Sequence, residues 1–205
     1  MKLENCRSCK RLVTHLKTVR RKHPDWHNRP VPGIGPSESR LLILGLAPGM
    51  NGANRTGKPF FGDKSSEWLQ SRLKETGCMD PDTDTLTVRI SNAVKCLPPG
   101  NKPTGKEIRQ CSNRWLVKEL ETSSVVLALG RVAHDAVLRT LGQTLNAFPF
   151  AQGAIHDLET LHLVDSYHPS PLNTQTGRLS PKQFNNALTS AINTVSSVDV
   201  LGGTE

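Results

Sequence analysis

Four apolar runs alternate along this chain with segments of helical periodicity, and this alternation constrains the fold more than any other feature. The runs lie at residues 40–46, 86–94, 124–129 and 161–167. Nearly continuous apolar runs of this length are typical of strands buried on both faces of a sheet. Strands that alternate with helices favour parallel pairing, because a parallel connection needs a long crossover. We therefore expect an α/β fold in three layers, with a four-stranded parallel sheet flanked by helices on both faces.

Capping residues mark the helices between these strands. The helical segments are residues 10–22, 65–75, 104–121 and 131–141, with a last helix that begins at Ser180 and Pro181. Thr104 and Glu107 have the spacing of a capping box, and serine followed by proline is typical of a helix N-terminus. We expect residues 1–197 to form a single domain and residues 198–205 to be a flexible tail.

The charge of the chain indicates a class of partner. The formal net charge is +8 and the pI is about 9.5, which favours a polyanion such as nucleic acid. No apolar run approaches the roughly 20 residues of a membrane helix. The polar start, residues 1–9, lacks the apolar region of a signal peptide. We therefore expect a cytoplasmic monomer without a membrane partner.

Five cysteines in a chain without a secretory signal argue against a disulfide framework. Cys6 and Cys9 form a Cys-x-x-Cys pair, whereas fourteen residues separate Cys96 from Cys111. Four thiolates can hold zinc or an iron–sulfur cluster, and a single close pair favours neither metal decisively. The alternative is a set of reduced, mostly buried thiols.

Two loops rich in Gly, Pro and Asn, residues 45–63 and 168–173, follow the first and fourth predicted strands. Loops at the carboxyl ends of parallel strands line the ligand crevice, so we expect Asp63 and His168 to face one pocket. A carboxylate can stabilise a cationic sugar or orient water, and a histidine can donate to a leaving group. The alternatives are a helix cap for Asp63 and a structural role for His168 before a proline turn.

Three further groups belong to the same predicted edge of the sheet. Asn92 ends the second strand, and its amide offers one acceptor and two donors that can read a base or bond a loop backbone. Phe60 and Phe61 can stack on a flat ring, although a Phe pair is more often part of a core. Ser170 and the Gly-rich backbone can hold phosphates, although glycines also serve simple turns.

Taken together, these motifs resemble the uracil-DNA glycosylase superfamily, most closely its iron–sulfur type B, or family 5, enzymes. The matching segments are residues 45–48, 52–57, 61–63, 92–99, 101–103, 168–170 with Asn173, and 176–179, together with the four-cysteine layout. Leu46 and Ala47 stand where other branches carry an acidic or amide residue. This difference moves the water-activating role to Asp63 and disfavours type A, or family 4, which has Glu after the first Gly.

The resemblance implies a monofunctional DNA glycosylase of the prokaryotic cytosol or nucleoid. Such an enzyme flips uracil, or another deaminated base such as hypoxanthine, out of DNA and hydrolyses its N-glycosidic bond, which starts base excision repair. The implied catalytic residues are Asp63 and His168. The implied base-binding residues are Phe61, Asn92, Gly45 and Ala47, with Phe61 favoured over Phe60 as the stacking ring. The implied DNA-binding residues are Asn54, Arg55, Ser170, Asn173 and Arg178. A structural [4Fe-4S] cluster on Cys6, Cys9, Cys96 and Cys111 is also implied.

Two other classes of function compete with this one. A non-catalytic nucleic-acid-binding protein would keep the basic surface and the cysteines but would need neither Asp63 nor His168. A nucleotide-binding enzyme would use the Gly-rich loop on phosphates. That loop lacks the Gly-Lys-Ser/Thr ending of a P-loop and the spaced glycines of a dinucleotide fingerprint.

Overall fold

The computed structural model describes residues 1–202, which form one five-stranded sheet and eight α-helices. The strands are β1 (Leu41–Gly45), β2 (Arg89–Asn92), β3 (Val125–Leu129), β4 (Ile155–Asp157) and β5 (His162–Ser166). The helices are α1 (Lys10–Lys22), α2 (Ala53–Thr56), α3 (Lys64–Glu75), α4 (Gly105–Cys111), α5 (Val117–Leu120), α6 (Arg131–Thr140), α7 (Pro171–Gln175) and α8 (Pro181–Gly202). Among these helices, none has both the length and the apolar character that crossing a membrane requires.

Strand order in the sheet is β2-β1-β3-β5-β4. The four predicted strands pair in parallel, as expected from their alternation with helices. The structure adds a fifth strand, β4, which pairs antiparallel with β5 at the edge of the sheet. β4 has three residues, and its Ile155 is 51% exposed, so neither a long apolar run nor a buried face marks it in the sequence.

Side chains of β1 alternate between two apolar layers. Leu41 and Ile43 pack with residues of α3 and α8, whereas Leu42 and Leu44 pack with residues of α1, α4 and α6. Such alternation follows from the twofold period of a strand. The sheet therefore lies between two helical layers, and the three-layer prediction is confirmed.

Helix termini follow the predicted capping in part. Thr104 and Glu107 form the capping box at the start of α4. The predicted helix over residues 104–121 is instead divided, because a π-helical turn at Ser112–Leu116 separates α4 from α5. At the other end of the chain, α8 continues through residues 198–202, which we expected to be a tail, since no proline or glycine interrupts it before Gly202. Residues 203–205 lie outside the described part of the chain.

Candidate active site

The loop after β1, the end of β2 and the loop after β5 meet at one cleft of about 360 Å³. Its lining residues are Leu46, Ala47, Gly49, Ala53, Phe60, Asp63, Ser65, Ser66, Asn92, Asn101, His168 and Ser170. The three strands are parallel, so their carboxyl ends reach the same edge of the sheet. The structure therefore brings Asp63, Asn92 and His168 together as the sequence predicts.

Asp63 caps a helix and faces the cleft at the same time. Its Oδ1 accepts hydrogen bonds from Ser66 N at 2.9 Å and Ser66 Oγ at 2.7 Å, which fixes the first turn of α3. Its Oδ2 has no hydrogen-bond donor within residues 1–202. That oxygen lies against the loop after β1, where a Cβ at Gly52 would come within 2.1 Å of it. One oxygen is thus structural and the other is available to a ligand.

His168 is half-buried beside Asp63 and Phe60. Its ring centroid lies 5.8 Å from that of Phe60, with the planes tilted by 35°. Burial lowers the pKa of His168 to about 4, although the Asp63 carboxylate acts in the opposite direction. The imidazole is therefore neutral near pH 7, with one N–H to donate. Its ring makes no hydrogen bond to another described residue.

The backbone that carries His168 is held by the loop that follows it. Asn173 Nδ2 donates to the His168 carbonyl at 2.8 Å, and Ser170 N donates to the same oxygen at 2.8 Å. Ser170 also caps α7 and lines the cleft. Asn173, which we expected to contact DNA, therefore positions the histidine loop.

Asn92 is the polar group in the cleft that most clearly indicates a ligand site. The residue is 5% exposed, its side chain makes no hydrogen bond to any described residue, and it lines the cleft. Its amide atoms are not among the fully buried atoms that lack a partner, so the amide is open to the cleft and can bond a ligand or water. Gly45 makes room for it, because a Cβ there would lie 2.4 Å from Asn92 Oδ1 and 2.8 Å from the Phe60 ring.

The aromatic wall of the cleft is Phe60, not Phe61 as we expected. Phe60 has a left-handed backbone with φ of 55°, which turns the two adjacent rings to different sides of the loop. Phe60 lines the cleft, and its carbonyl accepts from Gln70 Nε2 at 2.9 Å. Phe61 lies under Lys58, whose Nζ is 5.7 Å from the ring centroid, and lines a separate groove with Ile34 and Gly35.

The other residues that we expected to bind DNA occupy different surroundings. Asn54 is fully buried, and its Nδ2 donates to Asn28 Oδ1 at 2.9 Å, which removes its side chain from the protein surface. Arg55 is exposed, but its guanidinium donates to the carbonyls of Asn51 and Gly62, both at 2.7 Å, and so braces the loop. The exposed Arg178 lies over the ring of Tyr167, 4.4 Å from the centroid.

The sequence prediction gave no role to two residues of the cleft lining and to one exposed residue on α7. Asn101 and Ser65 line the cleft, and Asn101 has a left-handed backbone with φ of 57°. Leu172 is 72% exposed on α7, four positions after His168. The signal for Leu172 in the sequence was an apolar residue directly after Ser170 and Pro171, but its exposure cannot be read from sequence.

The four cysteines of the predicted cluster line one cavity, whereas Cys78 is buried elsewhere. No three of their sulfurs lie within 4.8 Å of one another, although thiolates on one tetrahedral zinc ion would be closer than that. Burial raises the pKa of Cys9 and Cys96, and raises that of Cys111 to about 11. The pKa of Cys6 is lowered instead. Burial acts to raise this pKa, but hydrogen bonds from Ser8, Trp115 and Arg114 lower it.

A second polar cluster joins α6, β4 and β5. Among residues 1–202, His134, His156 and Asp165 form the one group of three potential ligands within 4.8 Å of one another. Their atoms are hydrogen-bonded to each other: His134 Nδ1 lies 2.7 Å from Asp165 Oδ1, and His156 Nε2 lies 3.0 Å from Oδ2. Because Ala151 N also donates to Oδ2, the carboxylate is fully partnered, and we assign the cluster a structural role.

Comparison with known proteins agrees with this geometry. The family model described as the uracil DNA glycosylase superfamily matches residues 32–191. The chain is 43% identical over 199 residues to the type-5 uracil-DNA glycosylase of Thermus thermophilus, covering 89% of this chain and 90% of that protein. It is 41% identical over 193 residues to the type-5 enzyme of Pyrobaculum aerophilum, covering 87% and 84%. The type-4 uracil-DNA glycosylase of Archaeoglobus fulgidus is 29% identical over 147 residues, covering 68% and 70%.

Proposed function

The chain belongs to the uracil DNA glycosylase superfamily, and on this premise we propose that it hydrolyses the N-glycosidic bond of uracil in DNA. The observation that carries the proposal is the Asn92 amide, which makes no hydrogen bond within the described residues and opens into one cleft with Asp63 and His168. The names of its type-5 relatives support the same substrate.

Uracil has to leave the duplex to reach this cleft. Enzymes that act on a base inside DNA extrude the nucleotide into a pocket, at a cost of a few kcal/mol for unstacking. The cleft volume of about 360 Å³ suits a small ligand of this kind. Leu172, exposed on α7 two residues after the cleft-lining Ser170, would enter the space that the base vacates, because apolar side chains act as wedges between base steps.

Asn92 and Phe60 would recognise the flipped base. The Asn92 amide presents a donor and an acceptor to the Watson–Crick edge of uracil, and the Phe60 ring stacks on its face. Hypoxanthine carries the same pattern of a carbonyl beside a ring N–H, so the proposal extends to that base. Ala47 and Gly45 leave the space in which the ring lies.

The bond breaks with positive charge on the sugar and negative charge on the departing base. Asp63 Oδ2, which no described donor occupies, stabilises the sugar cation and orients the water that adds to C1′. The bonding electrons leave with uracil, and the neutral His168 donates its N–H to the oxygen on which the charge develops. Both roles act in the transition state more than in the bound substrate.

We also propose that Cys6, Cys9, Cys96 and Cys111 hold a [4Fe-4S] cluster. The residues fit such a group, since four thiols line one cavity and their sulfurs are too far apart for one tetrahedral ion. The cluster would supply structural cross-linking through four iron–sulfur bonds. It would join the N-terminal segment to the loop after β2 and to the end of α4.

A direct assay tests the proposed activity. Duplex DNA with one uracil, one hypoxanthine or one thymine at the same position is incubated with the protein and then cleaved by alkali at abasic sites. We expect strand breaks with uracil and hypoxanthine and none with thymine. Intact uracil-containing DNA at high enzyme concentration would overturn the proposal.

A further inference from the structure

A second cleft, lined mainly by arginines, lies beside the N-terminal cysteines. Arg7, Arg20 and Arg29, with Glu4 and Asn5, line this cleft of about 370 Å³, which we call the arginine cleft. Lys17 lines an adjoining groove together with the same three arginines. This concentration of cations is separate from the residues that line the catalytic cleft.

The charges of the arginine cleft are not neutralised by the protein. Within residues 1–202, no ion pair involves Arg7, Lys17, Arg20 or Arg29, whereas other cations such as Arg11 and Arg72 have acidic partners. Glu4 is the one acidic residue among those that line the cleft. Three arginines around one cleft, with Lys17 in the adjoining groove, repel each other, so an anion in the cleft would be stabilising.

Backbone carbonyls orient two of these guanidinium groups. Arg7 Nη1 donates to Glu4 O at 3.2 Å and to Cys6 O at 2.9 Å, and Arg20 Nη2 donates to Asn28 O. Arg29 makes no hydrogen bond to another described residue. Each guanidinium has five N–H donors in a planar fork, so most of them stay available to the oxygens of a phosphate.

Hydrogen bonds connect the arginine cleft to the catalytic loop. Asn28, whose carbonyl holds Arg20, donates from its backbone N to Asn54 O at 3.1 Å and accepts from Asn54 Nδ2 at 2.9 Å. Arg55, the next residue, donates to Gly62 O, directly before Asp63. The spacing between the two clefts is therefore fixed by the fold.

We propose that the arginine cleft binds a phosphodiester of the substrate DNA away from the flipped nucleotide, so that the enzyme holds its substrate at two separate places. This inference rests on the proposed glycosylase function. A contact to the backbone carries no sequence information and takes no part in the chemistry. The cleft would therefore contribute to DNA affinity and its salt dependence, and leave the rate of bond cleavage unchanged.

The test compares Arg29→Gln and Arg7→Gln/Arg29→Gln with Arg139→Gln. Arg139 is an exposed arginine without an ion pair among the described residues, at the carboxyl end of α6. Helices that connect parallel strands run antiparallel to them. The carboxyl end of α6 therefore lies at the edge of the sheet opposite the catalytic cleft. The matched control therefore removes the same charge far from either cleft.

Affinity is measured over a range of salt with a long duplex that carries one 2′-fluoro-2′-deoxyuridine, which resists cleavage. Each lost phosphate contact is expected to reduce the log–log salt slope by about 0.9. We expect Arg29→Gln to weaken binding several-fold at moderate salt, the double variant to weaken it further, and Arg139→Gln to change little. Cleavage of a uracil duplex at saturating enzyme should keep the wild-type rate.

Two outcomes would contradict the proposals. If the arginine variants keep the affinity and the slope of Arg139→Gln while the wild type excises uracil, the inference is wrong and the proposed function stands. If the wild type excises no uracil, the proposed function fails by itself. Melting temperatures control for folding, and Arg29→Gln carries the decision if the double variant is unstable, because Arg29 bonds to no other described residue.

Discussion

Individual residues in the catalytic cleft combine a structural bond with a free polar atom. Asp63 gives one oxygen to the start of α3 and leaves the other unbonded among the described residues. His168 has its carbonyl held twice, while its ring stays free and neutral. Gly45 contributes through the absence of a side chain, since Asn92 and Phe60 occupy the space of a Cβ. Substitutions at these positions therefore separate folding from chemistry.

Replacing Asp63 by Asn removes the charge and keeps the cap. Asn caps helices about as well as Asp, so the melting temperature should change little. The single-turnover rate on uracil DNA should fall by roughly 10²-fold or more, the scale of one positioned electrostatic group. Asp80→Asn is the matched control, because Asp80 also accepts backbone N–H bonds but lies in an exposed turn. Near-wild-type turnover in Asp63→Asn would contradict the mechanism.

Replacing Gly45 by Ala closes the base pocket. The new Cβ would lie 2.4 Å from Asn92 Oδ1 and 2.8 Å from Phe60, so both must move. We expect single-turnover excision to fall by at least 10-fold, because a displaced amide no longer meets the base edge. Gly105→Ala is the control, since its nearest neighbour would be Arg109 Nη1 at 3.5 Å. Equal activity in both variants would show that the pocket accommodates the added methyl group and that the prediction is wrong.

The neutral imidazole of His168 makes stability depend on pH. Burial lowers its pKa from 6.5 to about 4 in the folded state, so the unfolded chain binds the proton more readily between these values. This contribution to stability is present above pH 6.5 and is lost as the pH falls towards 4. Melting curves from pH 7 to pH 4 should show a smaller loss for His168→Gln than for the wild type. Parallel curves for the two proteins would count against a buried neutral histidine.

Among the elements, long buried strands could be predicted and short or irregular ones could not. The parallel strands β1, β2, β3 and β5 follow from apolar runs and from the helices between them. β4 could not be predicted because three residues at an edge show no periodicity. α7 could not be predicted because a segment of five residues that begins with proline is typical of a turn. The division of residues 104–121 depends on a π-helical turn directly after Cys111, a distortion frequent at functional sites.

Residues of the candidate site could also be predicted only in part. Asp63, Asn92 and His168 follow parallel strands, so the topology brings them together. Which of the two rings, Phe60 or Phe61, lines the cleft depends on the left-handed backbone of Phe60. The burial of Asn54 depends on its hydrogen bond to Asn28. Neither the angle nor the bond leaves a pattern in the sequence, because both depend on tertiary packing.

Asp165 of β5 is hydrogen-bonded to His134 of α6, to His156 of β4 and to Ala151 N in the loop before β4. Asp165→Asn removes the charge that strengthens these three bonds, so it should lower the free energy of unfolding by about 1–3 kcal/mol. Asp157→Asn, on β4 but exposed, should stay within about 0.5 kcal/mol of the wild type. Denaturant unfolding of both variants measures the difference, and equal stability would argue against a structural role for the cluster.

For the molecule as a whole, the cysteines of the proposed cluster line one cavity although they come from segments that are distant in sequence. Purified protein should be brown and contain iron, and Cys6→Ser or Cys96→Ser should lose the colour and unfold at lower temperature, because a bound metal group contributes folding free energy. Cys78→Ser should stay brown, since Cys78 is buried away from the other four. Colourless protein with zinc and no iron, after anaerobic preparation, would refute the cluster.

The order of these cysteines along the chain also has a consequence during synthesis. Cys6 and Cys9 emerge from the ribosome first, and the roughly one hundred residues up to Cys111 take on the order of 5–20 s at about 5–20 residues per second. For that interval an adjacent pair of thiols exists without the two that complete the site. The pair is then open to a foreign thiophilic metal or to oxidation into a disulfide. Assembly of the proposed cluster would therefore compete with these reactions, and the competition would begin before the sheet has formed.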